Sequence, residues 1–481
     1  MKVRAELRSI ERIVLLLLFS ICGFQSFGQT DTEFWFSVPE INRYHNDGDD
    51  LNHKNNGSPV FFRITAGDIE SMVTITMPAN NSFNGGNVYT VLVPANTTKT
   101  LDLFNLKFLG DAWGGVPGVA DDASMENRLL WTKSDLTAAK PYINKNNKGV
   151  HITATAPITV YYEISAPYNM DLLTLKGRNA LGKEFFIPFQ TDYNIPLSRY
   201  NYRYRPYSSF DIVATTDNTH IRITPTHDVF VFQIGKCAAN APFDIWLNKG
   251  ETAIIPPLDS DPANKSDYRT SNRKEDRLIG SKVEVVEGGD IAVITRDDMV
   301  EAPSGNVDFV GDQLVPTTMI GNDYAIVRGQ LKDKEEHVYV VATQDATNVK
   351  VDGNSISALN AGMSASINIS SLKPITDIHS DKPIYVYHLS GFSSSSKTQF
   401  AGALIPTITT CTGSTRVAFN RTKPDPYDFY LNILVRNGAE TSFELKAQTA
   451  ILAQIAANTV NKPSVSDIKK VNPVLVQNSL S

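Results

Sequence analysis

GVHITATAPITVYYEISAPYNMDLLTLKGRNALGKEFFIP, Gly149 to Pro188, alternates as a half-buried strand does and breaks where a turn would sit. Ile152, Ile158, Val160 and Tyr162 keep a period of two, and Pro157 interrupts the run where a bulge or turn is tolerated. Beyond Leu181-Gly182, Phe185-Phe186-Ile187 reads as a further apolar strand. The stretch predicts β structure and contains no catalytic signature.

Looser versions of this pattern return downstream. FDIVATTDNTHIRITP (Phe210 to Pro225) and VYVVATQDATNVKVDG (Val338 to Gly353) share A-T-x-D-x-T, with Ala214 and Ala342 offset by 128 positions. Each reads as strand, tight turn, strand. Asp217-Asn218 and Asp345-Ala346 fall in the connection, where Asp and Asn side chains bond nearby backbone amides. Phe61 to Met77 is a degenerate first copy, with Val60 to Thr65 and Val73 to Met77 as hairpin partners, and Phe429 to Lys446 is a fourth. The predicted fold is all-β, made of tandem, repeat-related antiparallel β-sandwich units. They are expected over 29–200, 201–335 and 336–425, with a partial unit and polar tail over 426–481. A short helix is expected at Ala123 to Leu130.

The first 28 residues read as a signal peptide: Lys2, Arg4, Arg8 and Arg12, then an apolar core from Ile13 to Ile21, then Ser26-Phe27-Gly28 as a cleavage site. That core is far shorter than the ~20 residues a bilayer span needs. Export follows, to an extracellular, cell-surface or periplasmic location. Cys22 follows the bulky Ile21, so lipidation is not expected; Cys237 and Cys411 do not make a disulfide-built fold. Without the leader, 41 Lys and Arg stand against 49 Asp and Glu, and no basic block is present. Nucleic acid and anionic membranes are therefore excluded as expected partners.

The segments TEFWFSVPE, GVHITATAPITVYYE, DLLTLKGRNALGKEFFIP, SSFDIVATTDNTHIRITP, DFVGDQLVPTTMIGNDYAIVRG and VYVVATQDATNVKVDG resemble the IgGFc-binding protein N-terminal domain family, in order and spacing, across residues 31 to 446. The resemblance implies a bacterial, exported, β-rich module for adhesion or matrix binding, with an extracellular protein or glycan as partner and no catalytic residues. Two other readings stay open: a secreted carbohydrate-active enzyme or its accessory module, and a structural spacer of a surface assembly.

Two candidate sites follow from the residues. In RYNYRYRP, Tyr200, Tyr202 and Tyr204 alternate with Arg203 and Arg205, which would set rings on one face of a strand and guanidinium groups on the other. In HNDGDD, Asp47, Asp49 and Asp50 offer oxygen ligands suited to Ca²⁺, although the Glu that closes an EF-hand is missing. No other cofactor is expected. Asp297, Asp298, Asp308 and Asp312 supply enough carboxyls for a glycoside hydrolase pair, but Asp312 stands at the place equivalent to Asp171, which favours a structural turn role.

Overall fold

The computed structural model describes residues 30–39, 60–79, 88–102, 145–147, 149–166, 169–192, 208–231, 234–258, 273–301, 307–329, 336–369, 374–390, 401–408 and 434. The helix expected at Ala123 to Leu130 and the fourth strand–turn–strand copy lie outside them.

The protein is all-β, and every strand pairing is antiparallel. The first strands are β1 (Asp31–Ser37), β2 (Val60–Ala66), β3 (Ser71–Thr76), β4 (Val88–Val93), β5 (Thr98–Asp102), β6 (Lys145–Asn146), β7 (Gly149–Ala166) and β8 (Asn169–Thr174). The 18-residue β7 organises all of these but β6, which pairs with a later strand, because the two halves of β7 pair with different neighbours. Up to Ile158 it runs between β1 and β3; from Ile158 onward it runs between β2 and β8. Pro157 sits at the handover, where its missing N–H costs the ladder nothing and lets the strand change layers. Two layers result, β4-β3-β7-β1 and β5-β2-β7-β8. They enclose one core that includes Phe36, Phe62, Ile75, Val150, Tyr162 and Leu173.

The same pairing order occurs twice more. The second set comprises β9 (Glu184–Phe186), β10 (Ser208–Ala214), β11 (Thr219–Thr224), β12 (Val229–Val231), β13 (Gly235–Cys237), β14 (Phe243–Leu247), β15 (Thr252–Ile255), β16 (Lys282–Glu287), β17 (Ile291–Glu301) and β18 (Val307–Gln313). Its layers are β14-β11-β16-β9 and β15-β10-β17-β18, the latter with β6 added beyond β15, and Asp290 stands where β7 has its proline: Ile291 pairs with Ala214 as Ile158 pairs with Ala66. The third set comprises β19 (Gly321–Val327), β20 (Glu336–Ala342), β21 (Val349–Val351), β22 (Asn354–Ser355), β23 (Ser364–Ile369), β24 (Ile375–Ser390) and β25 (Ala401–Leu404). Here β24 changes partners at Pro383-Ile384, giving β22-β21-β24-β19 and β23-β20-β24-β25.

One expectation is corrected. The arms of the strand–turn–strand motifs are not hairpin partners: β2 pairs with β5 and β7, whereas β3 pairs with β4 and β7. Likewise β10 and β11 fall in separate layers, as do β20 and β21. Alternation buries one side of each arm in a hairpin and in an arch alike, so the period alone does not separate the two. The turns themselves behave as read. The Lys249 amide donates to Asp217 Oδ1, and the Ala361 amide donates to Asp345 Oδ1, both at 3.0 Å. Asn218 and Ala346 take the left-handed conformation between the arms, at φ 52° and 53°.

Candidate functional site

The residues picked from the sequence as binding and metal sites, Tyr200, Tyr202, Arg203, Tyr204, Arg205, Asp47, Asp49 and Asp50, lie outside the described residues. Among the described residues, no three His, Cys, Asp or Glu side chains come together as metal ligands. Cys237 is a buried free thiol.

Asp171 of the first set and the acids of the second set are placed differently from expectation. Asp171 and Asp312 are strand residues, not turn residues, and both are buried, as is Asp308. The reason is packing between sets: β18 lies against both β8 and β25, so its side chains have neighbours on each side. Lys176 Nζ donates to Asp312 Oδ1 and to the Gln313 carbonyl, each at 2.6 Å, while the Leu404 amide donates to Asp312 Oδ2 at 2.8 Å. Gln313 completes the tie by accepting from the Lys176 amide through Oε1 and donating through Nε2 to the Trp35 carbonyl. Burial pushes the Asp171 carboxyl well above the usual range, and the charges of Asp312 and Asp308 add to the shift. Asp297, fully enclosed on β17, is also raised by burial, against the opposing pull of Arg277. These carboxyls join packed strands; they do not face one another across an open cleft.

A different surface has the composition of a contact site. The layer β14-β11-β16-β9 turns Ile221, Ile223, Phe243, Leu247 and Val283 into the core, so the alternate residues of the same strands face outward. Opposite one another on that outer face stand His220 and Trp246, and next to them Arg222 and Asp244. Trp246 is 57% exposed, whereas Trp35 is 2% exposed. The Trp246 indole stacks on the His220 imidazole, with ring centroids 4.6 Å apart and planes 12° from parallel. Asp244 fixes the rest: Arg222 donates to it from Nε at 2.9 Å and from the terminal nitrogen at 3.2 Å, and His220 Nε2 lies 3.2 Å away. The Arg222 guanidinium holds the Asp244 carboxyl below its ordinary range. Exposed Val286 occupies the bulge beside His220, and the charged row continues across the sheet through Glu284, Lys282 and Glu184. The result is a flat aromatic patch beside a fixed charged pair. No residue of this face was singled out from sequence; its only signal is that His220, Arg222, Asp244 and Trp246 occupy the outward positions of THIRIT and FDIWL.

A search of curated proteins gives no match. The family described as IgGFc binding protein matches residues 172–472, starting within β8 and leaving β1 to β7, which the resemblance had included, outside the match. That span is more than half of the chain, and the chain belongs to the IgGFc binding protein family.

Proposed function

We propose that this chain is an exported, non-catalytic binding protein of the adhesion type, and that it contacts an extracellular glycoprotein or polysaccharide through the outer face of β14-β11-β16-β9. Its leader supports export, and its family, named for binding an antibody fragment, supports a protein ligand. The three successive strand sets act in this reading as related β-sandwich units that hold the contact face rigid.

Trp246 is the observation that carries the reading. A tryptophan more than half exposed gives the fold little beyond its stack on His220, whereas Trp beside Arg is what contact hot spots favour. Its free edge and the neighbouring Arg222–Asp244 pair suit a sugar ring or a glycoprotein surface with matched polar groups. The test is an array of glycans and glycoproteins, with immobilised immunoglobulin Fc as one arm, probed with the chain and with Trp246→Ala. The expected loss is tenfold or more in affinity, the usual effect of truncating a hot-spot residue. Saturable binding that Trp246→Ala leaves unchanged would remove this face from the reading. A chelator arm tests the Ca²⁺ proposal at Asp47, Asp49 and Asp50, and Tyr202→Ala tests the Tyr/Arg run.

A further inference from the structure

The first layer ends at β4, which among the described residues pairs with β3 on one side and with no strand on the other. An edge strand presents a row of unpaired backbone groups, and proteins commonly protect such rows with charge, proline or brevity. β4 reads Val-Tyr-Thr-Val-Leu-Val and has none of these protections. Other outer strands do: β14 carries Asp244, β5 carries Lys99 and Asp102, and β22 is two residues long. β23 is uncharged as well, but its exposed row is polar, Ser364, Ser366 and Asn368.

The solvent side of β4 is apolar where those rows are not. Val88 is 56% exposed and Leu92 44%, and Met72, opposite Leu92 on β3, is 42% exposed. Thr90 stands between Val88 and Leu92 and faces Thr74 across the pair. Every side chain of β3 and β4 is uncharged, so a second identical edge meets no like-charge repulsion.

We propose that β4 is a self-association edge, joining the first layers of two copies of this chain into one continuous antiparallel sheet about a two-fold axis. Directly opposed residues share a face, so the axis must pass through a residue of the strand and not between two. Centring it on Thr90 sets Thr90 against Thr90 and Val88 of each copy against Leu92 of the other. This register matches β-branched and apolar partners and extends the exposed row of Met72 and Leu92 across the junction.

The test is sedimentation velocity on the purified chain over a concentration series, together with the double variant Val88→Lys/Leu92→Lys, whose folding is checked by circular dichroism. Both substituted positions are solvent-facing, and lysine is a natural protector of edges. The chain should sediment as a dimer and the variant as a folded monomer. Thr90→Cys should then form an intermolecular disulfide under mild oxidation, whereas Thr74→Cys, one strand back on the same face, and the unsubstituted chain should not. A monomer at every concentration, or a dimer that survives the lysines, overturns the proposal. So does a Thr90→Cys chain that cross-links no faster than Thr74→Cys.

Discussion

Replacing Lys176 with Met should destabilise the protein by about 3 kcal/mol, because it leaves the Asp312 carboxylate enclosed without its cation. Lys176 Nζ lies 2.6 Å from Asp312 Oδ1, and the two side chains are 18% and 7% exposed. Breaking a buried pair from one side costs about 3–5 kcal/mol, most of it the stranded charge. Two features place the loss at the lower end: the Lys176 side chain keeps some contact with solvent, and Asp312 keeps the amides of Leu404 and Gln313 as donors. Removing the charge as well should recover part of the loss, but an Asn amide accepts from only one of those two backbone amides, so Lys176→Met/Asp312→Asn should be about 1 kcal/mol or more above Lys176→Met and still below the unsubstituted protein. The measurement is urea unfolding followed by tryptophan fluorescence, with Trp35 as a local reporter through its bond to Gln313. Hydrogen exchange of β8, β18 and β25 should accompany it, since several packed sandwiches need not unfold in one step. A loss under about 1 kcal/mol for Lys176→Met, or additive effects in the double variant, would refute the buried-pair account.

Asp171→Asn tests the neighbouring carboxyl by its pH dependence. Because burial raises the folded pKa of Asp171, the folded state keeps a proton that the unfolded chain releases, and stability falls as pH climbs above the ordinary carboxylate range of about 4. The Asn variant should lack that decline, melting higher than the parent at pH 7 to 8 and no higher at pH 3; parallel melting curves across this range would sink the assignment. Gly280→Ala should cost about 3 kcal/mol or more, since a Cβ there would lie 1.8 Å from the Gly362 carbonyl oxygen at a φ of +83°. Gly353→Ala, at φ +80° with nothing within 4 Å, carries only the conformational penalty of about 1–2 kcal/mol. Equal losses in thermal unfolding would show that the approach of Gly280 to Gly362 is not what demands glycine.

The strands were legible because their signal is local. Ile152, Ile158, Val160 and Tyr162 alternate wherever β7 is placed, and all four prove buried. Layer membership was not legible, since β2 and β3 show the same alternation whether they pair together or across a core. The burial of Asp171 and Asp312 depends on β8, β18 and β25 meeting, which joins positions more than 200 residues apart in sequence, and no local pattern records it. Trp246 was hidden for the converse reason. In FDIWL it is one large residue in a strand, and its exposure reflects that, among the described residues, no other element covers that face.

The way successive sandwiches pack decides which faces are left for a partner. Gly149 donates its N–H to the Gly250 carbonyl at 3.0 Å, and Gly280 approaches the Gly362 carbonyl in the corresponding place one sandwich further on. These contacts bring the outer side of each second layer onto the preceding sandwich. Val213 and Ala292 thus close over Trp35, while Ile294 and Phe309 enter the first core. Tyr339, Val341, Tyr385 and Tyr387 join the second core, with Phe189 stacked on Tyr387 at 4.3 Å. This is why β10 is buried at all seven positions although it belongs to a two-layer unit. The second layers of the second and third sandwiches are thereby used up by the array itself. The first layers are covered only in part: Trp35 on β1 lies under the next sandwich, but Met72, Val88 and Leu92 on one first layer, and Trp246 and Val286 on the next, stay exposed on strands whose other sides are core. Apolar surface left on these layers is what a partner can still cover, so the proposed contact face around Trp246 and the proposed self-pairing edge at β4 arise from the same packing rule.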